Sequence, residues 1–424
     1  MADQESHFIG SSEATAHDSL KRYFLYGLFV VWLFIPEHFT LGHAVVRPVD
    51  FYILFFAYLA LTLLLIRKNL CIPRSGTFLS LLALIFWGCI SLLWAFDKVY
   101  TLVDVIQWVE MLVVFLLIYN AIDSWHNLRK CVFFLILLGV LLGGVNLGIV
   151  AAQQGDYQWY RFSAGMPSLG LLLASSFVSH SKRRRISLYL AIAICGAAII
   201  FSLERHAWIG LSLAISCLIW LRYRLIPQRI KVILVIVSAL LCTTIILSCV
   251  TPEFTAYFTK RVVSVNIVRN IQLGSTADAL RFDLEKAAIR MGLDHPLTGV
   301  GMHNYIVLRD QYMPSGRDYA RSLATHDSFA TMFAELGFPG LAIWLCIVLQ
   351  LIKSIEYYKR ANLPPDETGL LLGFVGTSIY TLSELAFGSF GFDTMMMLIL
   401  NLGLLGIIRK LRAQNASQKK WEES

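Results

Sequence analysis

An all-α polytopic membrane protein is the fold class predicted for this chain of 424 residues, and three observations carry the prediction. Apolar residues make up 57% of it and charged residues only 15%, more apolar surface than a soluble domain can hide. Apolar runs close to the roughly 20 residues needed to cross a bilayer recur along its length. Lys and Arg gather at alternate ends of those runs, as they do where positive loops stay cytoplasmic.

About twelve runs read as transmembrane helices: 23–41, 49–66, 77–95, 101–120, 131–151, 166–180, 186–204, 206–221, 232–250, 339–353, 367–388 and 391–408. Basic clusters at Lys21-Arg22, Arg67-Lys68, Arg129-Lys130, Lys182 to Arg185, Arg222 to Lys231, Lys353 to Arg360 and Arg409 to Lys420 fall on one side. That pattern divides the chain into a cytoplasmic tail (1–22), nine spans (23–250), a large outward-facing periplasmic loop (251–338), three spans (339–408) and a second cytoplasmic tail (409–424). The net charge of +8 therefore reports topology, and no nucleic-acid partner is expected. The first twenty residues lack the order of a removable signal peptide, so the first span is expected to act as its own signal. The eight cysteines sit in or beside spans, and the outward loop has none, which predicts neither a disulfide framework nor a cysteine zinc site.

Within the loop, Ser275-Thr-Ala-Asp278 reads as a capping box that opens a helix. Leu280, Leu284, Ala287, Ala288 and Met291 form one apolar stripe along it, and Asp294-His-Pro296 ends it. Such a stripe predicts a loop helix lying on the membrane domain. Thr298-Gly-Val-Gly-Met-His-Asn304 is turn-like, and with Gly337-Phe-Pro-Gly340 it is a natural place for the loop to flex.

Ionisable groups at membrane depth are costly, so each calls for a reason. Arg205 stands at the sharp junction of two spans, where it reads as a snorkelling side chain, as a partner of Glu204 or as a ligand binder. Arg281 has Asp278 and Glu285 at helical spacing and on that ground is an ordinary ion pair. Arg161 follows the aromatic cluster Tyr157-Gln-Trp-Tyr160, a common membrane anchor. Arg309, Arg317, Arg321, Lys260, Arg261 and Arg269 make the outward loop basic, which suits an anionic ligand. Thr325 is the expected N-cap of a helix that places His326 in its first turn, where the dipole favours a neutral, proton-accepting ring. Glu110, Glu335, Glu384 and Asp393 are candidate partners of these bases. No Asp-x-Asp pair, metal-ligand cluster, phosphate loop or nucleophile elbow is present.

Three stretches give the chain its likeness: Phe201-Ser-Leu-Glu-Arg-His-Ala-Trp-Ile-Gly210, Ala279 to Ala288 with Asp294-His-Pro-Leu-Thr-Gly-Val-Gly301, and Thr325-His-Asp-Ser-Phe through Ala334-Glu-Leu-Gly-Phe-Pro-Gly340. In these the sequence resembles the O-antigen ligase and polymerase family of bacterial envelope enzymes, with Tyr160-Arg-Phe-Ser-Ala-Gly165 a weaker fourth match. The resemblance implies a glycosyltransferase C-like fold, an undecaprenyl-diphosphate-linked glycan as donor, a lipid A core as acceptor and no metal or other cofactor. It implies that Arg205 and Arg281 bind the diphosphate and that His326 is catalytic, with Arg161 and Arg321 as further substrate-binding candidates. An inner-membrane location with membrane lipids as surroundings and a periplasmic active site follows. Two positions depart from the family: Asp327 stands where Asn is frequent, and Glu204 puts a negative charge beside a proposed phosphate ligand. Rival readings are an O-antigen or exopolysaccharide polymerase using the same donor, transfer to protein hydroxyls, and a transporter with Arg205, Glu110 and Glu384 as its polar sites.

Overall fold

The computed structural model describes residues 23–31, 39–41, 44–46, 48–59, 62, 65, 70–73, 75–152, 164–176, 182–202, 204–222, 277–313, 325, 327–360, 365–388 and 391–422. A short helix α1 (23–31) leads to a two-stranded antiparallel hairpin, β1 (Phe39–Leu41) and β2 (Ala44–Val46), in which Thr40 faces Val45. This corrects the expectation of one helix over 23–41. β-Branched Thr40, Val45 and Val46 flank Gly42-His43, a short hairpin signal inside an otherwise apolar run. Next comes α2 (Pro48–Tyr52), which passes into a π-helical turn, Ile53–Ala57.

The next helices fall on predicted spans: α3 (Gly76–Ser91), α4 (Lys98–Ala121), α5 (Trp125–Ala152), α6 (Gly165–Ser176), α7 (Lys182–Ser202) and α8 (Arg205–Arg222). Their starts are chemically marked. Ser75 accepts the N–H of Phe78 at the head of α3, and the Asp97 carboxylate accepts those of Val99 and Tyr100 at the head of α4. The expected ninth span (232–250) and the stretch 251–276 lie outside the described residues. The loop helix α9 (Ala277–Asp294) and the shorter α10 (Tyr305–Tyr312) precede α11 (Ser328–Arg360), α12 (Pro365–Phe387) and α13 (Phe392–Glu422). α13 runs unbroken through the predicted tail 409–424 as far as Glu422.

Among the described residues six helices are long and apolar enough to cross a membrane, and α3 and α8 are shorter apolar helices. Nearly every long helix packs on its neighbour in sequence: α5, α6 and α7 form one group, and α8 lies along α12, which also touches α6, α11 and α13. α4 packs on α13 and α3, and α3 on α11. Since lipid is as apolar as the core, close packing and internal hydrogen bonds must hold such a bundle. Gly139 of α5 and Gly170 of α6 lie so close that a Cβ on Gly139 would come within 2.9 Å of the Met166 carbonyl. Between α12 and α13 the Asn401 side chain accepts from Thr377 Oγ1 at 2.5 Å and donates to Thr381 Oγ1 at 3.0 Å.

Candidate functional site

The ends of α3, α5, α7 and α12 and the starts of α4, α6, α8, α11 and α13 meet at one end of the bundle, and α9 and α10 lie across it. α9 is seated by the predicted stripe: Leu284, Ala287, Ala288 and Met291 are buried against Ala330 and Ala334 of α11. Gly292 lets the helices approach, since a Cβ there would meet the Phe333 ring at 2.4 Å.

α11 breaks at Gly337, whose φ of 66° belongs to the left-handed region, and Pro339 follows. A break of this kind leaves carbonyls of the preceding turn without their helical donors, because Pro339 has no N–H and Phe338 donates instead to the Pro296 carbonyl at 2.7 Å. The turn after α9 supplies what is missing. Val300 N–H donates to Ala334 O at 3.1 Å and Gly301 N–H to Glu335 O at 2.9 Å. Gly299 makes this approach feasible, for at its φ of 64° a Cβ would lie 2.2 Å from the Glu335 backbone. Asn304 then ties the turn to the α3–α4 junction: its side chain accepts from Asp97 N–H at 2.6 Å and donates to Thr101 Oγ1 at 2.7 Å. Trp94 Nε1 donates to Thr298 O and Trp87 Nε1 to Leu336 O. The segments expected to flex are thus a hydrogen-bonded junction, whose glycines supply both the left-handed φ and the close approach it needs.

The head of α11 differs from expectation in one respect. Asp327 is its cap, its Oδ1 accepting the Phe329 N–H at 2.8 Å, and Ser328 is the first helical residue. A carboxylate outcompetes a threonine hydroxyl for the amides of a helix start. Thr325 instead donates to Asp327 O and pairs with the Thr331 hydroxyl. His326 accordingly precedes the first turn in sequence rather than belonging to it. Ser328 Oγ donates to Leu385 O at 2.7 Å and fastens this start to the end of α12.

Beside it, α7 and α8 meet at Glu204. The Glu204 carboxylate accepts the Ala164 N–H at 3.1 Å, at the head of α6, and Trp208 Nε1 donates to Ile199 O across the α7–α8 turn. His206 Nε2 lies 3.6 Å from Glu204 Oε2 and 3.4 Å from Glu384 Oε2 on α12. Arg281 on α9 is close enough for its charge to act on both His206 and Glu285, and Asp327 acts on Glu285 in turn. Burial pushes the Glu285 carboxyl up, with Asp327 adding to the rise and Arg281 opposing it. Burial also raises Asp327, against the pull of the Phe329 and Ala330 N–H groups. Guanidinium, imidazole and four carboxyls from four elements therefore converge in one half-buried region.

Of the residues singled out in the sequence, Arg281 sits in this region. Arg205 is described by its backbone, as the first residue of α8, next to Glu204 and His206. His326, Arg161 and Arg321 lie outside the described residues, the first of them between Thr325 and Asp327 in sequence. Glu384 joins His206, whereas Glu110 is buried on α4 and Glu335 beneath the pinned turn, where it accepts the Tyr305 N–H at 3.4 Å. His206 and Glu285 were not singled out as site residues; the signal for the first was a Glu-Arg-His run at a helix junction. Among the described residues no group of three or more His, Cys, Asp or Glu side chains has the arrangement to hold a metal ion.

In comparison with known families, residues 190–345 fit the family model described as O-antigen ligase. The match takes in most of α7, all of α8, α9 and α10, and α11 beyond its break. No curated protein matches the chain.

Proposed function

We propose, from the premise that the stretch 190–345 belongs to the O-antigen ligase and polymerase family, that this multi-pass membrane protein transfers a glycan from a polyprenyl diphosphate to a lipid acceptor. Members of that family are membrane glycosyltransferase-like enzymes that use lipid-linked glycans. The donor is proposed to be an undecaprenyl-diphosphate-linked O-antigen and the acceptor a lipid A core. The full arrangement is twelve spans in the inner membrane with the α9–α11 end facing the periplasm. The observation that carries the reading is the meeting of α8, which begins at Arg205, with Arg281 of α9 and the cap Asp327 next to His326.

The chemistry follows from what the donor needs. His326 takes the proton of the acceptor hydroxyl as its oxygen forms a bond to the anomeric carbon. The bond from that carbon to the diphosphate oxygen breaks with its electron pair, so undecaprenyl diphosphate leaves and configuration inverts. Arg205 and Arg281 hold the charge that develops on the leaving phosphates, with Arg161 and Arg321 steering the substrates. Guanidinium suits the task because it stays charged and grips phosphate bidentately. General-base help contributes about 10²–10⁴-fold, and preorganised positive charge in a water-poor site commonly contributes more. No metal or other cofactor is required by this scheme.

The test is product analysis with purified protein in EDTA, given the lipid-linked glycan and lipid A core. Glycosylated lipid A core is the expected product. Glycan lengthened on its own carrier would replace this reading with polymerase chemistry.

A further inference from the structure

A diphosphate is a demanding ligand for this end of the bundle, since Glu204, Glu384, Glu285 and Asp327 all present carboxyls there. Burial raises the Glu285 and Asp327 carboxyls. Glu204 and Glu384 share one imidazole between them. Glu204 adjoins Arg205 in sequence, and a carboxylate beside a phosphate repels it through several ångströms of poorly screened surroundings.

We infer that His206, held 3.6 Å from Glu204 and 3.4 Å from Glu384, is a positioning residue that carries a positive charge between the two acids and thereby admits the donor's diphosphate. The geometry favours this over a packing role. A single imidazole nitrogen, Nε2, faces both carboxylates at ion-pair distance, so one positive charge there acts on both. Glu204 is also fixed by Ala164 N–H at 3.1 Å, so the pair cannot relieve its repulsion by swinging away. Gly210, one turn along α8, lies so close to α12 that a Cβ there would meet Ser383 at 3.0 Å and Tyr380 at 3.1 Å, an approach that keeps His206 within reach of Glu384. The charged and titratable groups that bear on His206 are Glu204 from the α7–α8 junction, Glu384 from α12 and Arg281 from α9, the last opposing its charge. Tyr380 of α12 lies beside Glu384, one turn away on the same helix. This inference rests on the proposed use of a diphosphate-linked donor.

The experiment measures binding of undecaprenyl diphosphate alone to the purified full chain, beside the transfer assay. His206→Gln is expected to weaken binding about tenfold or more, because it leaves a carboxylate near the phosphates uncompensated. Adding Glu204→Gln or Glu384→Gln to that variant should recover most of the loss, and His206→Lys should retain binding within about threefold of wild type. Glu204→Gln alone, which keeps an acceptor for Ala164 N–H, should bind more tightly than wild type and serves if His206→Gln fails to fold. Unchanged binding in His206→Gln, or a loss that neither glutamine recovers, would overturn the inference. Binding that follows the expected order without any transfer by wild type would leave the inference standing and remove the glycosyl-transfer reading. Absence of carrier binding to wild type would remove both.

Discussion

The two ends of the bundle handle charge in opposite ways. At the end away from α9, one lysine and one amide complete backbone groups near the end of α4. Lys410 Nζ donates to Tyr119 O at 3.3 Å, in the last turn of α4, and lies over the Tyr119 ring at 4.9 Å. Asn120 pairs with the backbone of Cys71 in both directions. Each of these contacts completes a backbone group, and a cation at a helix C-terminus is the simplest electrostatic arrangement available. At the α9 end, acids, a histidine and an arginine from separate helices lie half-buried together, at a cost that the fold alone does not require. Polar groups that exceed the needs of the helix ends mark where chemistry is to be sought.

Breaking that contrast should give effects of graded size. The largest is expected from His326→Ala, which should slow transfer by about 10²–10⁴-fold with melting temperature in detergent unchanged. Next comes Gly299→Val. Its Cβ would collide with the Glu335 backbone at a left-handed φ, and the junction should lose about 2–4 kcal/mol, read as a lower melting temperature and new proteolytic nicking between α9 and α10. A smaller effect concerns pH. Glu285 and Asp327 have folded pKa values raised above their unfolded ones, so the stability they contribute is full below about pH 4 and is lost as pH rises through the folded values. Thermal melts of Glu285→Gln should therefore fall less between about pH 4 and neutrality than those of wild type. Smallest of all, Lys410→Met should cost about 0.3–1 kcal/mol of stability and leave transfer intact, because it touches only the opposite end.

Periodicity made much of this architecture legible. The span helices follow from apolar runs, and the stripe Leu284, Ala287, Ala288 and Met291 is buried as the spacing of α9 requires. The hairpin at 39–46 escaped because six residues of mixed β character vanish within a run judged on hydropathy alone. Gly299 and Gly301 were read as flexible, since nothing in a linear sequence tells that Gly337 and Pro339 strip Ala334 and Glu335 of their donors some 35 residues later. The cap of α11 falls on Asp327, where Thr325 suits the role as well by residue type. The pairing of His206 with Glu384 was equally hidden, because α8 and α12 meet only through the packing of the bundle. Arg281 was marked by its motif, while spacing alone made it an ordinary ion pair.

The central claim is that the α9 end, and not its basic counterpart, carries out transfer. The most direct test is the initial rate of glycan transfer to lipid A core by Arg281→Ala, set beside Lys410→Met and wild type. A fall of about 100-fold or more for Arg281→Ala, with Lys410→Met near the wild-type rate, is the predicted result. Equal rates for all three, or equal losses for both variants, would contradict it.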